Sequence, residues 1–227
     1  MDIQSIVVTG GFGALGRAVS KAFVDQGHRV SRVDFAPGAP DNNPGGWDYP
    51  GVDLADAAAC ETVLSEICAQ AGGVDVLVNI AGGFAWETLD DGSMDTWQRM
   101  FTMNVITAAT ISKVALAALQ DSTAGRIINI GAGGAIKAGA GLGAYATSKA
   151  GVHRLTEALA AELSDSRVTV NAILPSIIDT PANRSAMPGA DTSDWVEPEA
   201  IADVILFLAS SAARSISGAL IPVSRGG

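Results

Sequence analysis

Tyr145 and Lys149 are the residues of this chain whose types and spacing most directly suggest chemistry. In a helix, a residue four positions later lies one turn away on the same face, so the Lys149 ammonium can stabilise a Tyr145 phenolate. An isolated tyrosine titrates near ~10 and is a poor proton donor at neutral pH. The pair therefore predicts a general acid/base whose pKa is lowered by a fixed cation. Such pairs also occur by accident on ordinary helices, so the rest of the chain must decide between the two interpretations.

A glycine-rich turn near the amino terminus predicts a nucleotide site. Residues 5–9 are a short β-branched run, and the apolar positions of residues 17–24 have helical spacing, so the sequence predicts strand, turn and helix. Glycines in such a turn let the backbone approach a pyrophosphate, and the N–H groups and dipole of the following helix attract its charge. The predicted cofactor contacts of this turn are Gly10, Phe12, Gly13, Ala14, Leu15 and Gly16.

A carboxylate at the end of the next predicted strand indicates which dinucleotide binds. Residues 29–34 end in Asp34, eighteen residues after Gly16, and an acid about 20 residues beyond the turn accepts hydrogen bonds from the adenosine ribose. Because this carboxylate would repel a 2′-phosphate, we expect NAD(H) to be preferred. Arg17 and Arg32 lie nearby in sequence and could soften the preference, so NADP(H) stays an alternative.

The remaining elements must bring these two sites together, and strand and helix signals alternate along the chain. Further helices are predicted at residues 55–70, 94–119, 145–163 and 198–211, and strands at 74–79, 126–130, 168–174 and 220–223. The Pro- and Gly-rich residues 37–50 predict a surface excursion, and residues 175–195 predict a mobile lid. The alternation predicts an α/β fold, a single-domain Rossmann-type doubly wound parallel sheet with helices on both faces, covering residues 1–227.

Composition excludes several classes of partner. A formal net charge of −10 disfavours nucleic acid and anionic membranes, both of which require clustered Lys and Arg. Cys60 and Cys68 have no metal-ligand spacing and predict free thiols in a reducing compartment, and no metal site is predicted. The amino terminus has no basic segment leading into an apolar core, and no apolar run approaches the ~20 residues of a membrane span, so we expect a cytoplasmic protein that acts on a small molecule.

Five motifs in order give the chain its resemblance to a known family. Taken together, Thr9-Gly10 to Gly16, Asn79-Ile80-Ala81-Gly82, Asn104, Tyr145 to Lys149 and Pro175 to Thr180 resemble the short-chain dehydrogenase/reductase family over essentially the whole length. The resemblance implies that Tyr145 is the catalytic acid/base, that Lys149 lowers its pKa and binds the nicotinamide ribose, and that Asn104 holds a relay water. It further implies a homodimer or homotetramer built on the helices at 94–119 and 145–163, which are apolar around much of their circumference.

The same resemblance implies further cofactor contacts. Asp53 and Leu54 would border the adenine, Asn79, Ala81 and Gly82 would lie near the adenosine ribose, and Thr180 would contact the carboxamide. Pro175 is a further candidate cofactor contact. Asn104 and Asp53 each have a simpler interpretation. Asn104 could satisfy backbone groups, and Asp53 could cap the helix that begins near Ala55. His28 and His153 are interpreted as structural.

Three positions depart from the family pattern, and the third matters most. Ala14 and Ile80 replace a glycine and an asparagine, while Ala132 stands thirteen residues before Tyr145, where the family has its substrate-binding serine. That hydroxyl stabilises charge on a carbonyl oxygen, and losing one such donor typically costs on the order of 10²-fold in rate. The substrate therefore does not need this donor, or another group replaces it, or the chain performs no reaction.

Within the family, the chain resembles dihydropteridine reductases at several further places. The matching residues are Gly10 to Gly16, Ala81-Gly82-Gly83-Phe84, Leu174-Pro175, Asp179-Thr180-Pro181, Asn183-Arg184, Met187-Pro188, Ala190-Asp191 and Trp195. This implies an NADH-dependent reductase of a planar conjugated substrate such as a quinonoid dihydropterin. Ala132, Phe84, Trp86, Met187 and Trp195 are its candidate substrate residues, with simple core or lid packing as the alternative for the four large side chains. The other two hypotheses are a carbonyl reductase or alcohol dehydrogenase, and a nucleotide-binding regulator without turnover.

Overall fold

The computed structural model describes residues 3–41 and 43–225 and contains one seven-stranded sheet in the order β3-β2-β1-β4-β5-β6-β7, with every pairing parallel. The strands are β1 (Ser5–Thr9), β2 (Arg29–Val33), β3 (Trp47–Tyr49), β4 (Val76–Asn79), β5 (Arg126–Ile130), β6 (Thr169–Pro175) and β7 (Leu220–Val223). The strand order reverses between β1 and β4, which is where doubly wound sheets bind their ligands. The predicted fold class is confirmed.

Helices cover both faces because side chains alternate along the strands. The helices are α1 (Ala14–Asp25), α2 (Ala57–Ala71), α3 (Met94–Phe101), α4 (Thr107–Asp121), α5 (Gly143–Glu162), α6 (Pro181–Ala186) and α7 (Pro198–Ala209). Ile6 and Val8 of β1 pack with α1 and α7, while Val7 packs with α2, α4 and α5. The carboxyl ends of the strands are left open at one edge, which must hold the functional residues.

Most predicted boundaries lie within about three residues of the observed ones, and three strands (β1, β5 and β7) match at both ends. Two elements were not predicted. Within the supposed surface excursion at 37–50, residues 47–49 form the edge strand β3, and residue 42 of that segment lies outside the described residues. Within the predicted lid, residues 181–186 form α6. Both elements are too short to produce a recognisable periodicity.

The predicted helix at 94–119 is one continuous helical segment with a wider, π-helical turn at Thr102–Ile106 between α3 and α4. Over Met94–Asp121 it is long and apolar enough to cross a membrane by length and composition alone, contrary to the sequence-based expectation. Ile111, Ala115 and Leu119 nevertheless contribute to the hydrophobic core. We therefore interpret the segment as a core helix of the domain.

Candidate active site

The glycine turn between β1 and α1 is shaped to receive a phosphate group. Gly10 has φ +63°, and a Cβ at this position would lie 2.9 Å from the Ala81 nitrogen, so the turn requires glycine. A Cβ on Gly16 would collide with the Gly10 carbonyl. Because Gly13 precedes α1 and has no side chain to cap it, the first N–H groups of α1 are left to bind an anion.

Asp34 is held at the edge of this turn by two backbone hydrogen bonds. Its carboxylate accepts the Phe12 N–H at 3.0 Å and the Ala36 N–H at 3.0 Å. Each oxygen keeps lone pairs for a ribose hydroxyl. The predicted role of Asp34 therefore fits its position.

Arg32 does not soften this acidic site in the way the sequence suggested. The side chain is fully buried below the glycine turn, with an Nη2 2.5 Å from Asp48 Oδ1 and its guanidinium 5.6 Å from the centre of the Phe12 ring. Neither Arg17 nor Arg32 lines the cavity beside Asp34. The buried cation is neutralised by Asp48.

A cavity of about 1210 Å³ extends from Asp34 across the strand ends to the segment after β6. The predicted cofactor residues that line it are Gly10, Phe12, Gly13, Ala14, Leu15, Gly16, Asp34, Asp53, Leu54, Ala81, Gly82 and Thr180. Its volume, the glycine turn and the Asp34 carboxylate are compatible with a nicotinamide dinucleotide. The lining also contains residues that the sequence did not predict, among them Phe35, which directly follows Asp34, and Val52, Gln98, Arg99, Thr102 and Met103.

Two predicted cofactor residues, Asn79 and Pro175, do not line this cavity. Pro175 ends β6, and the Asn79 side chain is buried among the helices of one face. The Asn79 amide donates to Ser112 Oγ at 3.0 Å and to Asn129 Oδ1 at 2.9 Å, and Asn129 in turn donates to Thr156 Oγ1 at 2.9 Å. Asn79 thus belongs to a buried polar ladder.

Thr9 and Asp56 were given no role by the sequence analysis, although both position the cavity wall. The Thr9 hydroxyl accepts the N–H groups of Ile80 and Ala81 at 3.1 and 3.2 Å. Asp56 caps α2 through the Ala58 N–H at 2.9 Å. The alternative that Asp53 caps this helix is therefore wrong, and Asp53 instead accepts the Ala55 N–H in the preceding turn.

Tyr145 and Lys149 share one face of α5, and burial dominates the titration of both groups. The Lys149 ammonium donates to the Ile130 carbonyl at 2.8 Å. Burial raises the pKa of Tyr145 to about 12 and lowers the pKa of Lys149 to about 8. The pKa of Tyr145 therefore shifts in the direction opposite to the lowering expected from Lys149, and burial is the cause. At neutral pH, Tyr145 retains the proton that a general acid must donate.

Asn104 lies in the wide helical turn and ties the segment after β4 to α5. Its amide nitrogen donates to Ser148 Oγ at 2.9 Å and to the Gly83 carbonyl at 3.2 Å, and its oxygen accepts the Gly83 N–H at 2.9 Å. Ser148 donates to the Tyr145 carbonyl at 2.7 Å. These bonds support the interpretation that Asn104 satisfies backbone groups, while the relay water stays a prediction.

Ala132 is buried beside α5, and its backbone is engaged by His153. The Ala132 N–H donates to His153 Nε2 at 3.3 Å, and a Cβ on Gly131 would lie 2.5 Å from the same nitrogen. Burial lowers the pKa of His153, which keeps the imidazole neutral and able to accept this bond. This contact supports the structural interpretation of His153. Position 132 therefore presents a methyl group, with its N–H already bonded.

The four candidate stacking residues differ in exposure. Phe84 is 62% exposed, and its ring packs edge-on against Tyr145 with the ring centres 4.9 Å apart. Trp86 is 63% exposed and donates its indole N–H to the Ala140 carbonyl at 3.1 Å. Met187 is partly buried just after α6, and Trp195 is only 5% exposed. For Trp195, the structure supports packing below the lid over stacking on a ligand.

The lid segment after β6 is tied together at both ends. Ile178 pairs with Val196, Thr180 caps α6 by accepting the Asn183 N–H at 3.2 Å, and Asp179 forms two 2.5 Å bonds with Arg184. Its mobility stays a prediction. Within residues 3–41 and 43–225, no group of three or more His, Cys, Asp or Glu side chains is placed to hold a metal.

Comparison with known proteins gives a consistent family. Residues 4–191 match the family described as short chain dehydrogenase. The chain is 31% identical to 3-oxoacyl-(acyl-carrier-protein) reductase MabA of Mycobacterium tuberculosis, with 98% of this chain and 92% of the relative covered. It is 30% identical to the FabG reductase of Salmonella typhimurium, with 97% and 95% covered, and 28% identical to 2-(S)-hydroxypropyl-CoM dehydrogenase 3 of Xanthobacter autotrophicus, with 98% and 96% covered.

A solved structure agrees with these relatives. Ligand-free aldohexose dehydrogenase from Thermoplasma acidophilum superimposes with a TM-score of 0.86 at 27% identity, covering 97% of this chain and 92% of that one. The comparisons support the family and do not single out the dihydropteridine reductases that the sequence motifs suggested.

Proposed function

The chain belongs to the short-chain dehydrogenase family, and we propose that it transfers hydride from NADH to a planar, conjugated substrate, with a quinonoid dihydropterin as the preferred candidate. Family membership makes the protein an oxidoreductase that uses a nicotinamide dinucleotide. The substrate class and the preference for NADH are our proposals.

The proposal rests on the absence of a free hydrogen-bond donor at Ala132. Ala132 has no hydroxyl, and its backbone N–H is already bonded to His153, so this residue has no hydrogen-bond donor left for a substrate oxygen. A ketone develops localised charge on one oxygen during reduction, which requires such a donor. A conjugated ring spreads the charge over several atoms and needs this donor less. The exposed Phe84 ring beside Tyr145 offers a surface on which a planar substrate can stack.

Different residues would bind the cofactor and transfer the proton. The bound dinucleotide supplies the hydride. The first turn of α1 would hold its pyrophosphate, and Asp34 would accept hydrogen bonds from its adenosine ribose. Tyr145, which is protonated at neutral pH, would donate the proton to the substrate. Lys149 would bind the nicotinamide ribose and help to return a proton to Tyr145.

The substrate proposal is tested by following the consumption of NADH with a quinonoid dihydropterin and with a panel of ketones. We expect turnover of the dihydropterin, and Tyr145→Phe should abolish it. Turnover confined to the ketones would refute the proposal.

The second candidate is a carbonyl reductase or alcohol dehydrogenase, which the names of the MabA and FabG relatives favour. In that case water or another side chain replaces the missing hydroxyl. Ala132→Ser should then raise ketone turnover, and unchanged or lower turnover would count against this candidate. The comparisons give no support to a regulator without turnover.

The preference for NADH rests on Asp34, beside which neither Arg17 nor Arg32 lines the cavity, although Arg99 of α3 is part of the lining. We expect wild-type protein to bind NADH more tightly than NADPH when titrated by tryptophan fluorescence. Asp34→Asn should narrow that difference, whereas Asp25→Asn, a remote carboxylate in α1, should leave it unchanged. Equal affinities in wild-type protein would contradict the assignment.

A homo-oligomer and a cytoplasmic location complete the proposal. Met94, Phe101, Met103 and Ile106 expose apolar side chains along the helical segment that the family resemblance assigns to a subunit interface. Light scattering of the purified protein measures the mass of the assembly. A monomeric mass at micromolar concentration would contradict the proposed homo-oligomer.

A further inference from the structure

Phe84 lies on the segment between β4 and α3 and is held in a defined contact although most of its side chain is exposed. Its ring meets Tyr145 edge-on, with the ring centres 4.9 Å apart and the ring planes at 69°. Holding an exposed side chain in one position costs conformational entropy, and a backbone fixed on both sides reduces that cost. On the amino-terminal side, Gly83 is fixed by two hydrogen bonds to Asn104.

On the carboxyl-terminal side, the fixing residue is Trp86, which rests on Gly141. The indole N–H donates to the Ala140 carbonyl at 3.1 Å, and a Cβ on Gly141 would overlap the indole ring. Gly141 has φ +74°, a conformation that further favours glycine. The Glu87 N–H donates to the Gly141 carbonyl at 2.8 Å, which adds a second bond between the same two segments.

Gly141 lies two residues before the start of α5, the helix that carries Tyr145. The contact of Trp86 and Glu87 with residues 140–141, which we call the indole latch, therefore ties the segment that bears Phe84 to the base of the catalytic helix. Glu87 also accepts the Ser93 N–H, so the segment is anchored again just before α3. Phe84 has one fixed residue immediately before it and the latch two residues after it.

We propose that Trp86 is a positioning residue, whose latch on Gly141 holds Phe84 against Tyr145. The latch excludes water from one edge of the phenol and presents the Phe84 face to a planar substrate. This inference deepens the proposed function and rests on it only for the identity of that substrate. It replaces the simpler expectation that Trp86 itself stacks on the ligand.

The geometric part can be tested without any substrate. The chain contains two tyrosines, so protein labelled with 3-fluorotyrosine gives two fluorine resonances, which Tyr49→Phe assigns. The Tyr145 resonance senses the ring current of Phe84, and Phe84→Leu defines its position when that ring is absent. We expect Trp86→Ala to move the Tyr145 resonance most of the way to the Phe84→Leu position, and Trp86→Phe, which loses the N–H donor and part of the ring but keeps an aromatic side chain, to move it part of the way.

The matched control is Trp47→Phe, because Trp47 lies in the edge strand β3, away from the latch. It should leave the Tyr145 resonance in place. Gly141→Ala provides a second route to the same state, since the added methyl displaces the indole without changing Trp86. A Tyr145 resonance that stays at its wild-type position in Trp86→Ala or Gly141→Ala, while Phe84→Leu shifts it, would overturn the proposal.

Kinetics then separate positioning from direct stacking. If Trp86 positions Phe84 and Tyr145, Trp86→Ala should lower kcat by up to ~10²-fold together with the resonance shift, as misplacement of a catalytic group does. If Trp86 is only a stacking surface, KM rises while kcat and the resonance stay unchanged, which refutes the latch. Failure of dihydropterin turnover in wild-type protein would remove the substrate proposal and leave the resonance result intact.

Discussion

The substitution Asp48→Asn tests the electrostatic support of the glycine turn. Asp48 of β3 is the ion-pair partner of Arg32, whose side chain is fully buried, and the contact is a single 2.5 Å approach. Among the described residues, Nε, Nη1 and Nη2 of Arg32 have no hydrogen-bonding partner of good geometry. The substitution leaves a buried guanidinium without its counter-charge below the turn that we propose receives the pyrophosphate.

The expected cost follows from that burial. Removing one partner of a buried ion pair typically costs ~3–5 kcal/mol, because the remaining charge cannot be hydrated. In a chain of this length each kcal/mol lowers Tm by roughly 2–4 °C, so Asp48→Asn should lower Tm by roughly 6–20 °C. Since Phe12 packs on the same guanidinium, NADH affinity should fall as well.

The matched control is Asp25→Asn, which breaks the exposed pair between Lys21 and Asp25. An exposed pair contributes only about 0.2–1 kcal/mol, so this variant should melt close to wild type. Thermal unfolding followed by circular dichroism compares the two variants, and replacing both partners, in Arg32→Met/Asp48→Leu, should recover much of the loss. If Asp48→Asn melts no lower than Asp25→Asn, the buried pair does not support the turn and the reasoning is refuted.

Three further predictions follow from the site. Because burial lowers the pKa of Lys149 to about 8, the folded state releases a proton near pH 8 that the unfolded state keeps up to about pH 10.5. The free energy of unfolding of wild-type protein, measured in urea, should therefore rise by roughly 1–3 kcal/mol between those pH values relative to Lys149→Met. Parallel pH dependence of the two proteins would contradict this prediction. Asn104→Ala leaves both polar groups of Gly83 unpaired and should cost roughly 1–3 kcal/mol and lower kcat, and unchanged unfolding would count against the role of that amide. Gly10→Ala should weaken NADH binding in a fluorescence titration by at least about tenfold, ~1.4 kcal/mol. The control Gly38→Ala, which has open space around the added methyl, should bind NADH normally. Equal NADH affinities of the two variants would refute the requirement for glycine at position 10.

The parts of the fold that the sequence predicts best are those with strong local signals. β5 is buried throughout and contains three isoleucines, and its bounds match because such a segment is stable at the centre of a parallel sheet. By contrast, β3 has three residues and lies between glycines and prolines, so only its pairing with β2 creates it. The same holds for α6, which depends on the Thr180 cap and the ties across the lid.

The site divides in the same way. The positions of the glycine turn and of Asp34 beside one cavity were predictable because they follow from spacing along the chain, while their cofactor roles stay predictions. The burial of Arg32 was not, because charged residues are usually exposed and its partner Asp48 lies sixteen positions away on a strand without a local signal. The direction of the Tyr145 pKa shift was also missed, since desolvation depends on how Phe84 and the neighbouring segments close around the ring.

The polar ladder of Asn79, Asn129 and Thr156 has a consequence for how the sheet assembles. Asn79 and Asn129 are directly opposite each other on β4 and β5, and apart from Arg126 the other residues of these two strands are Val, Leu and Ile. A shift of one residue in the pairing of these strands would keep the interior largely apolar but would turn Asn129 toward the opposite face of the sheet. Its amide would then be buried without a hydrogen-bonding partner. The polar ladder therefore selects one register of β4 and β5 among several that would bury similar amounts of apolar surface. That register also fixes the position along β5 of the Ile130 carbonyl, which accepts the hydrogen bond from Lys149.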